Sequence, residues 1–384
     1  MGKFRELVLK NSRYIVPVGY SLIRNIRVEN SPLRSSSDMP SIFSHETLNL
    51  KVSKSSPSLR GILYFFLSLP LVLLAAEIVA RSPLGSSLPA PSVNADSFLF
   101  DAKIYSLEQQ VRRNGGLDCL FLGSSVANVD INPEVVEQVY LEQTGETIHC
   151  FNLGLPAMTI ENATAIADAA IARFQPKVIF YTILSRDIDH VTASVNFIEQ
   201  SNWLKFNRGK DSLNGWLVNH SYAWRYFLTW RYWLVTPNRA KMDSETIFLT
   251  PKGFQPAQGI NDPYPENQTM TPERLMQIWD DPGHAQVVND FLALQQKGVT
   301  LVFIEGPVYR DPNANTWPAY EADYIPPLQS LLETGGVPFW RTDAIAVQIQ
   351  KPNWYDWLHL NSQGAVTFSQ WLGEVMAENK NLFK

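Results

Sequence analysis

The sequence predicts a three-layer α/β/α sandwich built around a five-stranded, mainly parallel sheet. Five short apolar runs, rich in β-branched and aromatic residues, appear after residue 115, and helical patterns lie between most of them. Strands that alternate with helices are typical of parallel sheets covered on both faces. Of the 384 residues, 45% are hydrophobic and 18% charged, a composition that suits a packed core and excludes a disordered chain.

The expected strands are 117–123, 147–154, 177–184, 299–306 and 337–343. The expected helices are 133–143, 160–174, 284–296, 320–334 and 362–378. In open sheets of this kind ligands bind beyond the carboxyl ends of the strands. Polar residues that directly follow the strands are therefore the first candidates for a functional site.

The most apolar stretch of the chain, 61–80, precedes the sheet. Its 20 residues would span roughly 30 Å as a helix, the thickness of a bilayer core. Ser68 and Glu77 are its only distinctly polar residues, and Glu77 lies near the far end, where we expect it to reach the membrane interface. Pro70 is compatible with a membrane helix. The stretch predicts a single transmembrane helix, with an internal helix of a soluble cytoplasmic esterase as the alternative.

Charge is distributed unevenly about this stretch. Residues 1–60 contain ten Lys or Arg against four Asp or Glu, whereas the chain after residue 80 is acidic and the whole chain carries −5. By the positive-inside rule the N-terminus is cytoplasmic and 81–384 is extracytoplasmic, either periplasmic or extracellular. We expect 1–60 to be a basic, partly disordered segment, 81–114 a linker and lead-in, and 115–384 the folded domain with an aromatic-rich insert at about 190–283.

Several classes of protein are excluded or disfavoured by composition. The acidic body argues against nucleic acid as a partner. Two cysteines provide neither a disulfide scaffold nor a multi-cysteine metal site. Cys119 and Cys150 each lie four residues before the glycine that ends their strand, so a bridge is possible, but we expect two buried free thiols. The histidines at 149, 190, 220 and 284 show no ligand spacing, and we expect neither a metal nor a cofactor.

The segments that follow the strands contain the residue types of a nucleophilic site. Gly123-Ser124-Ser125 follows the first strand, and Gly154 follows the second. The third strand ends in LSRDID, and near the C-terminus comes DWLHLN, residues 356–361. A serine hydroxyl becomes a good nucleophile when a histidine removes its proton, and that histidine needs a carboxylate to orient it. The candidates are Ser125 as nucleophile, His359 as base and Asp356 as its partner.

Taken in order, these segments resemble the SGNH hydrolase superfamily, also called GDSL esterases and lipases. The resemblance covers roughly 115–378 and is greatest to membrane-anchored, envelope-facing members that transfer acyl groups on polymers. It implies a Ser125–His359–Asp356 triad, with the backbone N–H of Gly154 as an oxyanion donor beside that of Ser125.

The third segment departs from the family pattern, which usually has Gly-x-Asn-Asp. Here the strand ends in LSRDID with no asparagine. Arg186 is a candidate oxyanion donor in its place or a site for a substrate carboxylate. The equal alternative is that Arg186 forms a structural ion pair with Asp187 or Asp189.

The insert is rich in aromatic side chains, with ten between residues 203 and 233. They predict either a lid, a sugar-stacking surface or a patch against the membrane interface. The spacing of Tyr222, Tyr226, Trp230 and Trp233 also fits the buried face of an ordinary helix, and this is the interpretation we favour.

The sequence as a whole predicts a membrane-anchored serine esterase or O-acyltransferase. Its expected partners are the lipid bilayer, an acyl-ester or polysaccharide substrate and a membrane-bound protein that donates the acyl group. The acyl group we expect is acetyl, and the substrate an envelope or extracellular polysaccharide. The alternative is a non-catalytic, carbohydrate-binding or scaffolding component of an envelope polysaccharide assembly.

Overall fold

The structure is a computed structural model, and it describes residues 59–93, 97–188, 196–235, 246, 248–257, 282–309 and 324–384. These residues belong to a compact unit that runs from Ser58 to Lys384. The predicted segment 1–60 therefore lies almost wholly outside the described residues. So do Asp189, His190 and a large part of the insert.

The sheet has the five strands and the parallel arrangement that the sequence predicts. All neighbouring strands pair in parallel, in the order β2-β1-β3-β4-β5. The strands are β1 Cys119–Gly123, β2 Cys150–Asn152, β3 Val178–Ile183, β4 Thr300–Glu305 and β5 Phe339–Trp340. Because β1 and β3 are neighbours, the segments that follow Gly123 and Ile183 emerge side by side at one edge of the sheet.

Helices cover both faces of the sheet. Along the chain they are α1 Leu59–Arg81, α2 Pro83–Ser86, α3 Phe98–Asn114, α4 Ser125–Asp130, α5 Pro133–Thr144, α6 Ile160–Phe174, α7 Asn196–Glu199, α8 Asn202–Asn207, α9 Leu213–His220, α10 Tyr222–Val235, α11 Pro282–Leu292, α12 Ile325–Thr334, α13 Asp343–Gln348 and α14 Ser362–Glu378. One core joins the sheet to α3, α6, α11 and α12, and the other joins it to α5, α13 and α14. The three-layer prediction is confirmed.

The two cores follow from the alternation of side chains along each strand. In β1, Leu120 and Leu122 face the first core, while Cys119 and Phe121 face the second. A strand buried on both faces needs apolar residues at every position, and all five residues of β1 are buried. This explains why the strand segments are continuous apolar runs in the sequence.

The two cysteines correct one expectation. Cys119 and Cys150 form a disulfide, whereas we expected two free thiols. They are direct partners in the register of β1 and β2, with Cα atoms 4.5 Å apart. That separation lies within the range that a disulfide requires. The equal spacing of the two cysteines from the strand-end glycines suggested this register, and the short Cα separation allows the bridge.

The insert forms short helices α8 and α9 and the longer α10. Trp203 in α8 is buried and packs its ring against Phe100 and Phe174. The predicted helix at 222–233 exists, but its buried face differs from the expected one. Tyr222 is buried, whereas Trp230 is 56% exposed. The side chain of Trp233 lies outside the described residues.

The buried face of α10 is built around a charged contact. Arg225 donates from both terminal nitrogens to the carboxylate of Glu108, at 2.7 and 2.9 Å, and Tyr222 also donates to that carboxylate at 2.8 Å. Both partners of the ion pair are almost fully buried. A buried carboxylate is tolerated only when its oxygens accept hydrogen bonds. The need to bind Glu108 therefore places Arg225 and Tyr222 on the buried face of α10.

Helix α1 contacts the rest of the protein at its C-terminal end. Glu77 accepts hydrogen bonds from the N–H groups of Tyr222 and Ala223, both at 3.0 Å, and from the hydroxyl of Ser221 at 2.8 Å. It therefore binds the free N–H groups in the first turn of α10. In the structure Glu77 binds the start of α10, and its expected reach towards a membrane interface stays a prediction.

Most of α1 presents apolar side chains outward. The exposed members are Leu63, Tyr64, Phe66, Leu67, Leu69, Leu71, Val72, Leu73, Leu74, Ile78 and Val79. Among the helices of the described ranges, none has the length and apolar composition needed to cross a membrane.

Candidate active site

Ser125 begins α4, directly after the tight turn that ends β1. Gly123 has a φ of +145°, and a Cβ there would meet the carbonyl oxygen of Thr182 at 2.5 Å. Only glycine allows the chain to turn so close to β3. The turn places Ser125 at the carboxyl edge of the sheet, in the first turn of a helix.

His359 meets Ser125 although 234 residues separate them. Its Nε2 lies 2.7 Å from the hydroxyl oxygen of Ser125. The histidine lies in a tight loop between Trp354 and Leu360, which pair with each other as an isolated antiparallel bridge. Within the loop the N–H of Tyr355 donates to the carbonyl of His359 at 2.8 Å. The loop is therefore held by its own backbone before any side chain acts.

Asp356 completes a continuous hydrogen-bonded series. Its carboxylate lies 2.8 Å (Oδ2) and 3.0 Å (Oδ1) from Nδ1 of His359. The same carboxylate accepts the backbone N–H groups of Leu358 and His359, each at 2.8 Å. Since an ionised carboxylate only accepts, Nδ1 bears the proton and Nε2 accepts from the serine hydroxyl. The arrangement is suited to removing a proton from Ser125.

The environment of Asp356 favours its ionised form. Burial is the largest influence on its pKa and would raise it. The hydrogen bonds and charge of His359, together with the two backbone N–H groups, outweigh burial and hold the pKa of Asp356 below its usual value. The carboxylate is about one-third exposed. It therefore remains negative and can stabilise an imidazolium.

Arg186 points at the same serine. It lies in a single 3-10 turn, Ser185–Ile188, that follows β3. Its Nη2 donates to the hydroxyl oxygen of Ser125 at 3.2 Å, and its Nε lies 3.9 Å from Oδ1 of Asp187. Arg186 thus contacts both Ser125 and Asp187, while Asp189 lies outside the described residues. Its role as an oxyanion donor or as a site for a substrate carboxylate stays a prediction. The guanidinium supplies positive charge beside the hydroxyl.

Asp187 is buried beside Arg186 and connects the segments that follow β1 and β3. Its Oδ2 accepts the backbone N–H of Leu184 at 2.9 Å and the hydroxyl of Ser124 at 3.3 Å. Burial raises the pKa of Asp187 to about 6, although Arg186 and the two hydrogen bonds act in the opposite direction. The first serine of the Gly-Ser-Ser turn therefore serves structure, while the second faces the histidine.

Gly154 is placed as predicted in the fold but differs in its bonding. A Cβ there would meet the backbone nitrogen of Asn128 at 2.6 Å, so glycine is required for packing against α4. Its N–H donates to the side-chain oxygen of Asn152 at 2.9 Å. An oxyanion would compete with Asn152 for this N–H, and the donor role of Gly154 stays a prediction.

Two buried residues that the sequence did not single out support the site. Lys103, from α3, donates to the carbonyl oxygens of Asn152 at 3.2 Å and Gly154 at 2.6 Å. Burial lowers the pKa of Lys103 well below its usual value. A lysine in a helix with charged neighbours is typical of an exposed position in a sequence, so only the fold reveals this function.

The second is Asp130, at the end of α4. Its Oδ1 accepts the backbone N–H of Leu360 at 2.8 Å, and its side chain is fully buried. Burial raises the pKa of Asp130 well above its usual value, opposed by the bond from Leu360 and aided by the charge of Asp356. The contact joins the helix of Ser125 directly to the loop of His359.

Two further observations describe metal ligands and the apolar surroundings of the site. Within the part of the chain that the structure describes, no three His, Cys, Asp or Glu side chains form a group that could hold a metal ion. Trp357 packs beside the site in a small apolar cluster with Val126, Leu184, Val308 and Leu358. The histidine and its carboxylate partner remain partly open to solvent.

No protein-family model and no curated protein matches this sequence. Among solved structures it is similar to LAE5, an alpha/beta hydrolase enzyme from the metagenome of Lake Arreo, Spain. Identity is 11% over 69% of this chain and 95% of that one, with a TM-score of 0.37. It is also similar to BT4096, a gut microbial diltiazem-metabolizing enzyme, at 13% identity over 68% of this chain, with a TM-score of 0.31. The chain matches 45% of the length of the latter.

Asp187 makes stability depend on pH in a defined direction. Its pKa is about 6 in the folded protein, against 3.8 for an unperturbed carboxyl. The folded state binds the proton more tightly, so this contribution to stability is full below about pH 4 and is lost as pH rises through about 6. A difference of about two between the folded and unfolded pKa values corresponds to at most about 3 kcal/mol.

We therefore predict that Asp187→Asn removes this pH dependence. The free energy of unfolding, measured by denaturant at several pH values between 4 and 7, should fall with pH more steeply in the wild type than in the variant. Asp211→Asn, which removes an exposed carboxylate, is the matched control. Parallel curves for wild type and Asp187→Asn would contradict the assignment.

Proposed function

We propose that this protein is a serine esterase or O-acyltransferase that uses Ser125, His359 and Asp356. One observation carries the proposal: a single line of hydrogen bonds runs from the hydroxyl of Ser125 through both ring nitrogens of His359 to Asp356. When the serine attacks a carbonyl carbon, its proton can pass to Nε2 of His359, and Asp356 stabilises the imidazolium that forms. The sequence resemblance to SGNH hydrolases supports the same roles.

In the first half of the proposed reaction, Ser125 is acylated. His359 accepts the hydroxyl proton at Nε2 while the serine oxygen bonds to the carbonyl carbon of an ester. The imidazolium then gives that proton to the departing alkoxide as the ester bond breaks. Asp356, whose pKa is held low, keeps the ring oriented and balances its positive charge.

In the second half the acyl group leaves the serine. Water or a sugar hydroxyl gives a proton to Nε2 of His359 and attacks the acyl carbon. The bond to Ser125 breaks, and the serine oxygen recovers a proton from the imidazolium. Attack by water makes the protein an esterase, and attack by a sugar hydroxyl makes it an O-acyltransferase.

The oxyanion formed in both halves needs hydrogen-bond donors. The backbone N–H of Ser125 belongs to the first turn of α4, where N–H groups have no partner within the helix. Arg186 already donates to the serine oxygen and adds positive charge. We propose that Arg186 takes the place of the asparagine that SGNH hydrolases usually have, with Gly154 as a further donor once its N–H leaves Asn152.

Polysaccharide acyl esters, acetyl esters in particular, are the substrate class we propose. The histidine and its carboxylate are partly exposed, which suits a polymer better than an enclosed small molecule. Trp357, partly buried beside the site, offers an aromatic side chain of the kind on which sugars stack.

We also propose that α1 attaches the protein to a membrane, with the body in an extracytoplasmic compartment and a membrane-bound protein as acyl donor. The support is the outward apolar surface of α1 and the basic charge of 1–60. The disulfide between Cys119 and Cys150 is in keeping with an oxidising compartment.

We predict that Ser125→Ala abolishes labelling by a fluorophosphonate probe and lowers turnover of a chromogenic acetyl ester at least about 10³-fold. Ser124→Ala is the matched control, since it removes the neighbouring hydroxyl of the same turn, and it should still be labelled. Labelling of Ser125→Ala would refute Ser125 as the nucleophile. Failure of the wild type to react with the probe and with any acyl donor would refute the enzymatic function. The latter outcome favours the scaffolding alternative.

Arg186→Gln should lower kcat for the same ester by about 10²–10³-fold, because the charged donor beside the oxyanion is lost. KM should change much less, since the interaction strengthens in the transition state. Arg186→Lys, which retains the charge but not the fork, should recover part of the loss. Equal changes in kcat for both variants and an unchanged fluorophosphonate labelling rate would argue for a purely structural ion pair with Asp187.

Membrane attachment is tested by carbonate extraction of membranes from cells that express the full chain. We predict that the protein remains in the membrane pellet and that protease added outside the cytoplasmic membrane digests 81–384. A chain from which 61–80 is deleted should be released, because the apolar surface of α1 is gone. Release of the intact chain by carbonate would overturn this part of the proposal without affecting the triad.

A further inference from the structure

A polar cavity of about 220 Å³ lies where α1 ends, between that helix, α3 and α10. Three arginines line it, Arg81 from α1 and Arg112 and Arg113 from α3, and none of the described acidic residues does. Tyr105 and Gln109 add further polar side chains to the wall. The cavity belongs to a different part of the molecule from Ser125, and the proposed reaction does not use it.

Two of the three arginines in the cavity wall, Arg81 and Arg112, stack on the ring of Tyr222. The guanidinium carbons of Arg81 and Arg112 each lie 4.8 Å from the centre of that ring, and that of Arg225 lies at 5.1 Å. Arg112 also donates to the hydroxyl of Tyr222. Stacked guanidinium groups lose little further freedom when they bind a ligand, so the cavity is organised in advance for an anion.

Nearby carboxylates neutralise only part of this charge. Glu108 is bound by Arg225 through both terminal nitrogens, and Glu77 pairs with Arg81 at 2.6 Å. Arg113 makes no ion pair with the residues that the structure describes. Burial, and then the charges of Arg81 and Arg225, lower the pKa of Arg112 against the opposing effect of Glu108.

We propose that this cavity binds a phosphate group, held by the guanidinium groups of Arg112 and Arg113. Arg81 adds positive charge, since its Nε and Nη2 already donate to Glu77 and to the carbonyl oxygen of His220. The planar guanidinium matches the paired oxygens of a phosphate, and three such groups converge here without an acid in the cavity wall. The exposed apolar side chains of α1 run up to Val79, next to the cavity wall at Ala80 and Arg81. A phosphate at this point is therefore placed as the headgroup of a lipid whose chains follow α1, or as a free phosphate ester.

The test uses the full chain in neutral detergent. Its unfolding midpoint is measured with inorganic phosphate and with chloride at equal ionic strength, and its binding to phosphatidylcholine vesicles is compared with and without phosphatidylglycerol. Arg112→Gln/Arg113→Gln removes both guanidinium groups that we propose to hold the phosphate. Lys351→Gln/Lys380→Gln removes two charges from the other helical layer and is the matched control.

We expect phosphate to stabilise the wild type and the control, and the arginine variant to bind phosphate about tenfold more weakly or worse. If the arginine variant also loses the preference for phosphatidylglycerol, the ligand is a lipid headgroup; if it keeps that preference, the ligand is a free phosphate.

Arg113→Gln alone, which leaves the Arg112–Tyr222 contact intact, should weaken phosphate binding about threefold or more. If the double variant is less stable than the wild type in chloride, the phosphate binding of Arg113→Gln decides between the proposal and its rejection. Equal responses of wild type and arginine variants to phosphate and to both vesicles would overturn the proposal.

Discussion

A buried hydrogen bond between Asp130 and the N–H of Leu360 fixes the relation between the two halves of the site. Ser125 begins α4 and Asp130 ends it, so the carboxyl of Asp130 lies about one and a half turns from Ser125 on the same short helix. Leu360 directly follows His359. The hydrogen bond therefore joins the helix that contains Ser125 to the loop that contains His359. It holds the serine oxygen and Nε2 of His359 at their separation of 2.7 Å.

The hydrogen bond between Asp130 and Leu360 leaves the second carboxyl oxygen of Asp130 unsatisfied, which costs stability. Oδ2 of Asp130 is buried without a hydrogen-bond partner, and the neighbouring charge of Asp356 disfavours its ionisation. An unsatisfied buried oxygen costs on the order of 1–3 kcal/mol. Such a group persists where the contact it makes is needed, and here the contact holds the loop that presents the imidazole.

Much of the architecture could be predicted from the sequence because parallel strands buried on both faces give continuous apolar runs. All five strands fall inside the predicted runs, and α6 and α14 have the predicted bounds. The sequence pointed to Ser125, His359 and Asp356, which the structure joins by hydrogen bonds, because few residue types can act as a nucleophile, a base and its acidic partner. Lys103 and Asp130 were missed because their importance comes from burial, and burial of a charged side chain leaves no mark in local sequence. The disulfide was misjudged because it depends on the exact placement of the two thiols, which sequence spacing does not fix. The exposure of Trp230 was missed because Glu108 draws Arg225 to the buried face of α10.

Strand β2, which precedes Gly154, lies at one margin of the sheet and has only three residues. A turn from the insert lies along it: the N–H of Asn152 donates to the carbonyl of Lys252 at 2.9 Å. Gly253 follows with a φ of +80°, and any Cβ there would collide with the carbonyl of Asn152. An outer strand with free N–H groups can recruit a strand from another molecule. The turn at Lys252 occupies that place, so the molecule carries its own protection against growth of the sheet from this side.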